Sequence, residues 1–247
     1  MLLEIDNFEQ FKIFFEVIFD ITEYVELQLF QEYMKCSILD KAHTRFMSVT
    51  FQKEFFATYE VDDAESVTLF SEDLHKIIKS VNKIDTVVLM TNENYLICKM
   101  ESDNGNSRVF EFVLPSEFIE SPNPPSISLP VTLNVDVATL KQGVKDLKIV
   151  GAGEIQFNVT NNSLSITSGT EIYGNYSLNI IIDDVIEESM TSRYTLEYIE
   201  QLLNFNKINK VVELKLGNDY PLVYSFKDEI MGIEIDGLIA PRIEVED

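Results

Sequence analysis

The sequence predicts an α+β protein built from two copies of one β-α-βββ-α-βββ unit. The same order of apolar strand patterns and amphipathic helix patterns occurs on both sides of a proline-rich segment near the midpoint. Apolar residues make up 45% of the 247-residue chain, which is enough to bury a core in each copy despite a formal net charge of −23. We therefore expect an N-terminal domain at 1–114, a connecting linker at 115–130 and a C-terminal domain at 131–247.

The first copy begins with a short apolar strand, after which Asp6 and Asn7 are suitable N-cap residues for a helix. Phe8, Phe11 and the residues that follow them repeat at helical spacing. A second helix is predicted to open at Ser71, with three strands between the two helices and three after the second. The predicted strands are 2–5, 25–30, 35–39, 46–51, 86–91, 95–100 and 108–113.

The second copy repeats this order after the linker. Asp136 follows a predicted strand and is a suitable N-cap for a helix with an apolar stripe from Val137 to Leu147. Asn161 and Asn162 are predicted to join two strands as a turn, and a further helix has Leu196 on its inner face. The predicted strands are 131–135, 155–159, 164–167, 176–182, 211–216, 222–226 and 230–235.

No pattern typical of a catalytic or metal centre is present in the sequence. His43 and His75 are the only histidines, Cys36 and Cys98 are far apart, and no phosphate-binding glycine loop or nucleophile elbow occurs. We expect a protein that is not an enzyme and that has no metal and no cofactor. The chain also has no apolar run of about 20 residues and no secretion signal, which predicts an intracellular protein without a membrane partner.

The few lysines cluster on the polar faces of the predicted helices. Lys76, Lys79 and Lys83 follow i, i+3, i+7 spacing, so they share one face opposite an apolar stripe. In the C-terminal copy Lys141, Lys145 and Lys148 follow i, i+4, i+7 spacing and also share one face. From spacing alone, a solubilising role and a nucleic-acid contact are equally good interpretations. The full set of helix lysines is Lys12, Lys76, Lys79, Lys83, Lys141, Lys145, Lys148, Lys207 and Lys210.

Two C-terminal motifs carry a resemblance to a known family. Residues 216–222 read LGNDYPL and residues 238–244 read LIAPRIE, which are similar to the GNxxPL and LAPRIE or LAPKIE signatures of proliferating cell nuclear antigen (PCNA) sliding clamps. Residues 39–43, 144–147 and 192–198 give supporting matches. Together with the duplicated order of elements, the resemblance covers essentially the whole chain and is closer to archaeal clamps.

The resemblance implies a DNA clamp fold and a ring of three subunits, with helices inside and sheets outside. Double-stranded DNA would pass through the ring without sequence preference, and the helix lysines would face it. The implied function is a processivity factor that tethers replication and repair enzymes. Implied partners are a clamp loader, a DNA polymerase, a flap nuclease and a DNA ligase, in a homotrimer or a heterotrimer. The implied location is the cytoplasm (nucleoid) of an archaeon or the nucleus of a eukaryote.

The resemblance also implies two protein-binding sites, although packing at a domain junction and ordinary intradomain strands are the competing interpretations. The implied partner-motif pocket consists of Leu39, Phe46, Pro221, Leu238, Ala240 and Pro241. The implied subunit interface consists of edge-strand residues in each domain, namely Arg108, Val109, Phe110, Phe112, Tyr173, Tyr176 and Leu178.

Two other functions compete with the replication clamp. One is a checkpoint-type clamp subunit that signals DNA damage. The other is an acidic protein that mimics DNA and occupies basic protein surfaces, although such a mimic gains nothing from clustered lysines. The first helix also departs from the family pattern, because Glu9 and Glu16 beside Lys12 are expected to weaken its contact with DNA.

Overall fold

The computed structural model describes residues 1–19, 21–82, 85–92, 94–102, 104–116, 121–168 and 174–243, without the side chains of 183–188. The chain divides into two compact units, residues 1–123 with 227–235 and residues 124–226 with 236–247. The domain boundaries predicted at 114 and 131 stay a prediction, and residues 117–120 of the predicted linker lie outside the described residues.

The first unit is α+β, and its described strand pairs are antiparallel. One sheet has the order β5-β1-β7-β8-β9, and β4, β3, β2 and β6 lie side by side in another. The elements are β1 (Leu2–Ile5), α1 (Phe8–Ile18), β2 (Tyr24–Leu29), β3 (Tyr33–Leu39), β4 (Arg45–Gln52), a 3₁₀ turn (Lys53–Phe55), β5 (Thr58–Glu60), β6 (Glu65–Phe70), α2 (Ser71–Ser80), β7 (Asp85–Asn92), β8 (Tyr95–Ser102) and β9 (Ser107–Val113).

The aromatic stripe of α1 forms the centre of the core of this unit. Phe11 is fully buried, and its ring centroid lies 4.8 Å from that of Phe15 and 5.2 Å from that of Phe51 on β4. Burying a side chain of this size contributes about 2–3 kcal/mol through the hydrophobic effect. Because this stripe packs inward, the opposite face of α1, with Lys12 and Glu16, is directed away from the core.

The second unit repeats the alternation of helices and antiparallel strands. Strands β10, β13, β14 and β15 are adjacent in that order, and β11 pairs with β12. The elements after residue 124 are β10 (Val131–Asp136), α3 (Val137–Ile149), β11 (Glu154–Thr167), β12 (Ser177–Thr195), α4 (Leu196–Leu202), a 3₁₀ turn (Leu203–Lys207), β13 (Val211–Leu216), β14 (Leu222–Asp228) and β15 (Ile233–Ile239). The last two residues of β14 and the first three of β15 belong to the first unit.

Two details of the predicted element order are wrong. Five strands lie between α1 and α2 in the described chain instead of three, because β5 has only three residues and the apolar signal of β6 is limited to Val67, Leu69 and Phe70. In the second unit, Asn161 and Asn162 do not form a turn between two strands. They lie inside the continuous β11, where Asn161 has a φ of 46° and the register with β12 shifts on either side of it. A bulge therefore replaces the predicted turn.

The predicted helix starts agree with the structure at Asn7, Ser71 and Asp136. The carboxylate of Asp136 accepts a hydrogen bond of 2.8 Å from the backbone N–H of Thr139, so it caps α3 as expected. Asn7 is the N-cap of α1 but makes no side-chain cap hydrogen bond. Helix α2 begins at Ser71 as predicted, and the acidic side chains in its first turn favour a helix N-terminus.

Candidate nucleic-acid interface

Helix α2 has one buried apolar face and one charged face. Leu74, Ile77 and Ile78 are at most 4% exposed, whereas Lys76 and Lys79 are exposed on the opposite side. Lys83, predicted to belong to this face, lies outside the described residues. The structure therefore places two of the three predicted lysines of this cluster together on solvent-facing turns of one helix.

The two lysines of α2 differ in their electrostatic surroundings. The ammonium of Lys76 lies 2.9 Å from the carboxylate of Asp73 and 3.1 Å from that of Glu72, and hydrogen bonds to Asp73 and then to Glu72 raise its pKa. Lys79 forms no ion pair with any residue in the described part of the chain. An approaching anion therefore meets a largely compensated charge at Lys76 and an uncompensated one at Lys79.

Lys12 on α1 is also compensated by its own helix. Its ammonium lies 2.8 Å from Glu9 and 3.9 Å from Glu16, and its side chain is 20% exposed. The expectation that these acids weaken the contact with DNA stays a prediction, and the ion pairs give it a physical basis. Among the described helix lysines of the first unit, Lys12 and Lys76 are thus paired with acids, and only Lys79 has no ion pair to a described residue.

Helix α3 presents a more strongly positive face. Val137, Leu140 and Leu147 are at most 1% exposed, and Lys141 and Lys145 are exposed without an ion pair to any described residue. These two lysines line an open groove of about 470 Å³ beside α4, together with the side chains Ala138, Gln142, Val144, Lys148, Glu200, Leu203 and Asn204.

The remaining lysines of the second unit have mixed surroundings. Lys148 pairs with Glu200 across the groove at 2.5 Å, which compensates its charge. Lys210 donates a hydrogen bond of 3.0 Å to the backbone carbonyl of Asn206, and Lys207 is exposed at the end of the 3₁₀ turn. Cations near a helical C-terminus are favourable in their own right, so these two positions are consistent with both a structural and a binding role.

The helix lysines without an ion pair to any described residue are Lys79 in the first unit and Lys141, Lys145, Lys207 and Lys210 in the second. Spacing alone does not reveal this difference, because each lysine cluster has the same helical periodicity. The acids three and four residues before Lys76, and three before and four after Lys12, are the sequence signal that identifies the compensated positions.

The predicted partner-motif residues lie in both units. Leu39 and Phe46 are cross-strand partners in the first unit, where Phe46 is 3% exposed and Leu39 is half-buried. The residues of the second unit are each half-buried, and they are Pro221, Leu238, Ala240 and Pro241. That the six line one pocket stays a prediction.

Asp40, which the sequence analysis did not single out, organises the turn between the two partner-motif residues of the first unit. Its carboxylate accepts hydrogen bonds from the backbone N–H groups of Thr44 and Arg45 at 2.7 and 2.8 Å. Burial alone would raise the pKa of Asp40, but these bonds and that of the Thr44 hydroxyl outweigh it and lower the pKa. An aspartate before a turn that contains Thr44 is the sequence signal for such a motif.

The GNDYPL motif has a structural role in the second unit. Its backbone carbonyls at Gly217 and Tyr220 accept hydrogen bonds from the hydroxyls of Ser192 (2.6 Å) and Tyr194 (2.9 Å), both on β12. The Asn218 side chain accepts another from the Thr191 N–H at 2.8 Å. Burial raises the pKa of Tyr194 to about 12, so its hydroxyl remains a donor at neutral pH. These bonds fix the loop that carries Pro221.

The predicted interface residues of the first unit lie on β9, which among the described strands pairs only with β8 in its sheet. Val109 and Phe110 are 56% and 36% exposed, and Phe112 is half-buried. The guanidinium of Arg108 instead reaches back to the Asp85 carboxylate and the Ser80 carbonyl of its own unit. An exposed edge with apolar side chains is suited to pairing with another strand.

Asp85, which anchors Arg108, is itself strongly stabilised in its ionised form. The backbone N–H of Asn82, the hydroxyl of Ser102 and the guanidinium all donate to its carboxylate. The Asn82 bond is the largest of several effects that lower the pKa of Asp85 against the opposing effect of burial. The interface prediction did not include this carboxylate, because its partners come together only through the fold.

The predicted interface residues of the second unit are partly described. Tyr176 donates a hydrogen bond of 3.1 Å to Asp146 of α3, and burial together with this bond raises its pKa. Leu178 is half-buried on β12, and Ile181 on the same strand is 82% exposed. Tyr173 lies outside the described residues. The assignment of both edges to a subunit interface stays a prediction.

The described residues contain no cluster of three or more His, Cys, Asp or Glu side chains that could hold a metal ion. In the same described part of the chain, every helix is too short or too polar to cross a lipid bilayer. Cys36 and Cys98 are buried free thiols, and burial raises the pKa of both.

Comparison with known proteins supports the resemblance to PCNA. Residues 2–120 match the proliferating cell nuclear antigen N-terminal domain. Over 233 residues the chain is 29% identical to the DNA polymerase sliding clamp of Methanothermobacter thermautotrophicus, and the match covers 94% of each chain. Residues 2–120 thus match this family directly, and the chain as a whole is similar to PCNA-type sliding clamps. The resemblance found in the two C-terminal motifs is thereby confirmed.

Solved PCNA structures agree with this family in fold. A chain of the PCNA2–PCNA3 complex from Sulfolobus tokodaii superposes with a TM-score of 0.85 at 22% identity, covering 99% of this chain and 100% of that one. A. fulgidus PCNA, solved with the C-terminal region of FEN-1, gives 0.84 at 18% identity, covering 99% of each. The α+β clamp fold class predicted from the sequence is confirmed.

Proposed function

We propose that this chain is a DNA sliding clamp that assembles into a ring around duplex DNA, raises polymerase processivity and tethers replication and repair enzymes. The observation that carries this proposal is the pair of uncompensated, exposed lysines, Lys141 and Lys145, opposite the buried stripe of α3 in a chain of net charge −23. Positive groups confined to helix faces suit loose phosphate contacts, which carry no sequence information.

Subunits of the ring associate through the exposed edges of β9 and β12 in this proposal. Edge pairing satisfies unpaired backbone groups and buries the apolar side chains Val109 and Phe110. The PCNA2–PCNA3 complex of S. tokodaii gives a precedent for assembly of PCNA chains. The ring is a trimer of like or related chains, and it acts inside the cell without catalysing a reaction and without a metal or cofactor.

Partner enzymes dock through a short peptide motif at the site that includes Leu238, Ala240 and Pro241. The A. fulgidus PCNA structure holds the C-terminal region of FEN-1, a precedent for this mode of binding and for a flap nuclease partner. By tethering, the clamp raises the effective concentration of a weakly bound enzyme at its template. A polymerase, a DNA ligase and a clamp loader are the other proposed partners.

The proposal is tested by measuring solution mass and primer extension on primed circular DNA with a polymerase and clamp loader. The expected results are a trimeric mass and an increase in product length per binding event. A persistent monomer that leaves product length unchanged, alone and in mixtures with related clamp chains from the same organism, would refute it.

A further inference from the structure

A buried carboxylate in the second unit forms ion pairs with two arginines, one of which, Arg242, belongs to the LIAPRIE motif. Glu154, the first residue of β11, is 5% exposed, and its Oε2 lies 3.3 Å from Nε of Arg242. On the other side, its Oε1 lies 3.9 Å from Nη1 of Arg193 on β12. The carboxylate of Glu154 therefore lies between Arg193 of the sheet and Arg242 of the LIAPRIE motif.

The backbone of the same segment is also attached to β12. The N–H of Arg242 donates a hydrogen bond of 2.7 Å to the carbonyl of Arg193. A backbone bond and a side-chain ion pair thus fix the residue directly after Pro241 to two strands of the same unit. Such a two-point attachment leaves the preceding residues little freedom to move.

The geometry makes Arg242 the more important partner of Glu154. Oε1, which faces Arg193, has no hydrogen-bond partner, so the shorter contact to Oε2 is the one that offsets the cost of burying this charge. The Arg242 side chain is 52% exposed and loses little hydration on docking. The need of the buried carboxylate for a cation, more than any gain by the arginine, holds the segment in place.

The same part of β12 also anchors the other C-terminal motif. Thr191, Ser192 and Tyr194 hold the GNDYPL loop, as described above, and Arg193 between them holds Arg242. The two half-buried prolines of the proposed partner site, Pro221 and Pro241, are therefore positioned from one stretch of four residues. No residue of this stretch was assigned to partner binding from the sequence.

We propose that Glu154 and Arg242 are positioning residues for the partner-peptide site. They hold the segment that carries Leu238, Ala240 and Pro241 in the shape that receives a short peptide with hydrophobic and aromatic side chains. This inference rests on the proposed function, since it assumes that the segment binds partner peptides. It adds that the site depends on a buried carboxylate that does not itself contact the peptide.

The test compares Arg242→Ala, Arg242→Lys and Glu154→Gln with Lys215→Ala, which removes an exposed ion pair with Glu213 in the same unit. Binding of a labelled peptide from the C-terminal region of A. fulgidus FEN-1 is measured by fluorescence anisotropy, and hydrogen exchange is measured for residues 238–243. Solution mass and melting temperature verify that each variant is assembled and folded. Arg242→Ala keeps the test valid if Glu154→Gln does not fold, because the arginine is half exposed.

We expect the affinity for the peptide to fall about tenfold in Arg242→Ala and in Glu154→Gln. In both variants the backbone amides of residues 238–243 should exchange hydrogen faster, while the solution mass of the protein stays unchanged. Arg242→Lys should recover most of the lost affinity. Lys215→Ala should match the unchanged protein. If the unchanged protein binds the peptide and both cluster variants bind it equally well, the positioning role is overturned while the partner site stands. If the unchanged protein does not bind the peptide, the proposed partner site fails and the positioning role fails with it.

Discussion

The ammonium of Lys76 lies 2.9 Å from the carboxylate of Asp73 on the preceding turn of α2, whereas Lys79, one turn later, has no ion pair among the described residues. The two lysines are thus neighbours on one helix, but only Lys76 has carboxylates close enough to offset its positive charge. Charge reversal at each position therefore separates the contribution of a compensated lysine from that of an uncompensated one.

We predict that Lys79→Glu reduces retention of the clamp on DNA more than Lys76→Glu does. At Lys76 two nearby acids already cancel most of the positive field, so less attraction is lost. The measurement is the half-life of the loaded clamp on circular DNA at low salt, with a several-fold shortening expected for Lys79→Glu. Equal effects of the two substitutions would show that the ion pairs do not determine which lysine meets the phosphates.

The second unit is predicted to supply more of the DNA contact than the first. Lys141→Glu combined with Lys145→Glu should impair DNA retention more than Lys12→Glu combined with Lys76→Glu, because only the first pair is free of ion pairs with described residues. In the variant with Lys141→Glu and Lys145→Glu, the affinity for DNA should also depend less steeply on salt concentration. A larger loss in the Lys12 and Lys76 variant would contradict the assignment.

Subunit assembly is predicted to depend on the edge of β9. The side chain of Val109 is 56% exposed, so Val109→Asp places a charge on the open edge of β9. Burying that charge in a subunit interface is unfavourable. Light scattering should show a shift from trimer to monomer. Ile230→Asp, at a position 95% exposed outside this strand, is the matched control and should keep the trimeric mass. A trimeric Val109→Asp protein would exclude this edge from the interface.

Acid stability is predicted to depend on Asp85. Its pKa is lowered in the folded state, so its contribution to stability is present above the unfolded pKa of about 3.9 and is lost as pH falls through the folded value. Asp85→Asn should lower the melting temperature at pH 7 by roughly 4–8 °C, and the difference should shrink as pH falls below the unfolded pKa of about 3.9. Thermal scans across this pH range test it, and a difference that is constant with pH would contradict the mechanism.

Much of the fold is predictable from the sequence because its signals are local. The aromatic spacing of α1 and the alternating strands determine which faces are buried, and the Asp136 cap is visible beside its helix. The bulge at Asn161 is not predictable in this way, because whether an Asn-Asn pair turns or bulges depends on the long partner strand β12. Strand β5 has only three residues, and both β5 and β6 gain their stability from neighbours distant in sequence.

The candidate sites are predictable to different degrees. Helical spacing places Lys141 and Lys145 on one exposed face, since periodicity alone determines the face. The clusters around Asp85 and Glu154 require side chains from separate strands, with Arg108 and Arg242 as their partners, and no spacing in the sequence indicates such pairs. The two C-terminal motifs can be identified in the amino-acid sequence, but the hydrogen bonds that attach them to β12 are visible only in the structure.

The central claim is that the chain encircles DNA, and topological retention tests it most directly. The clamp is loaded onto nicked circular DNA with its clamp loader, free protein is removed, and the DNA is then linearised by a restriction enzyme. The clamp is expected to stay on the intact circle and to slide off within minutes once DNA ends are available. Equal retention on circular and linear DNA, or no retention on either, would contradict it.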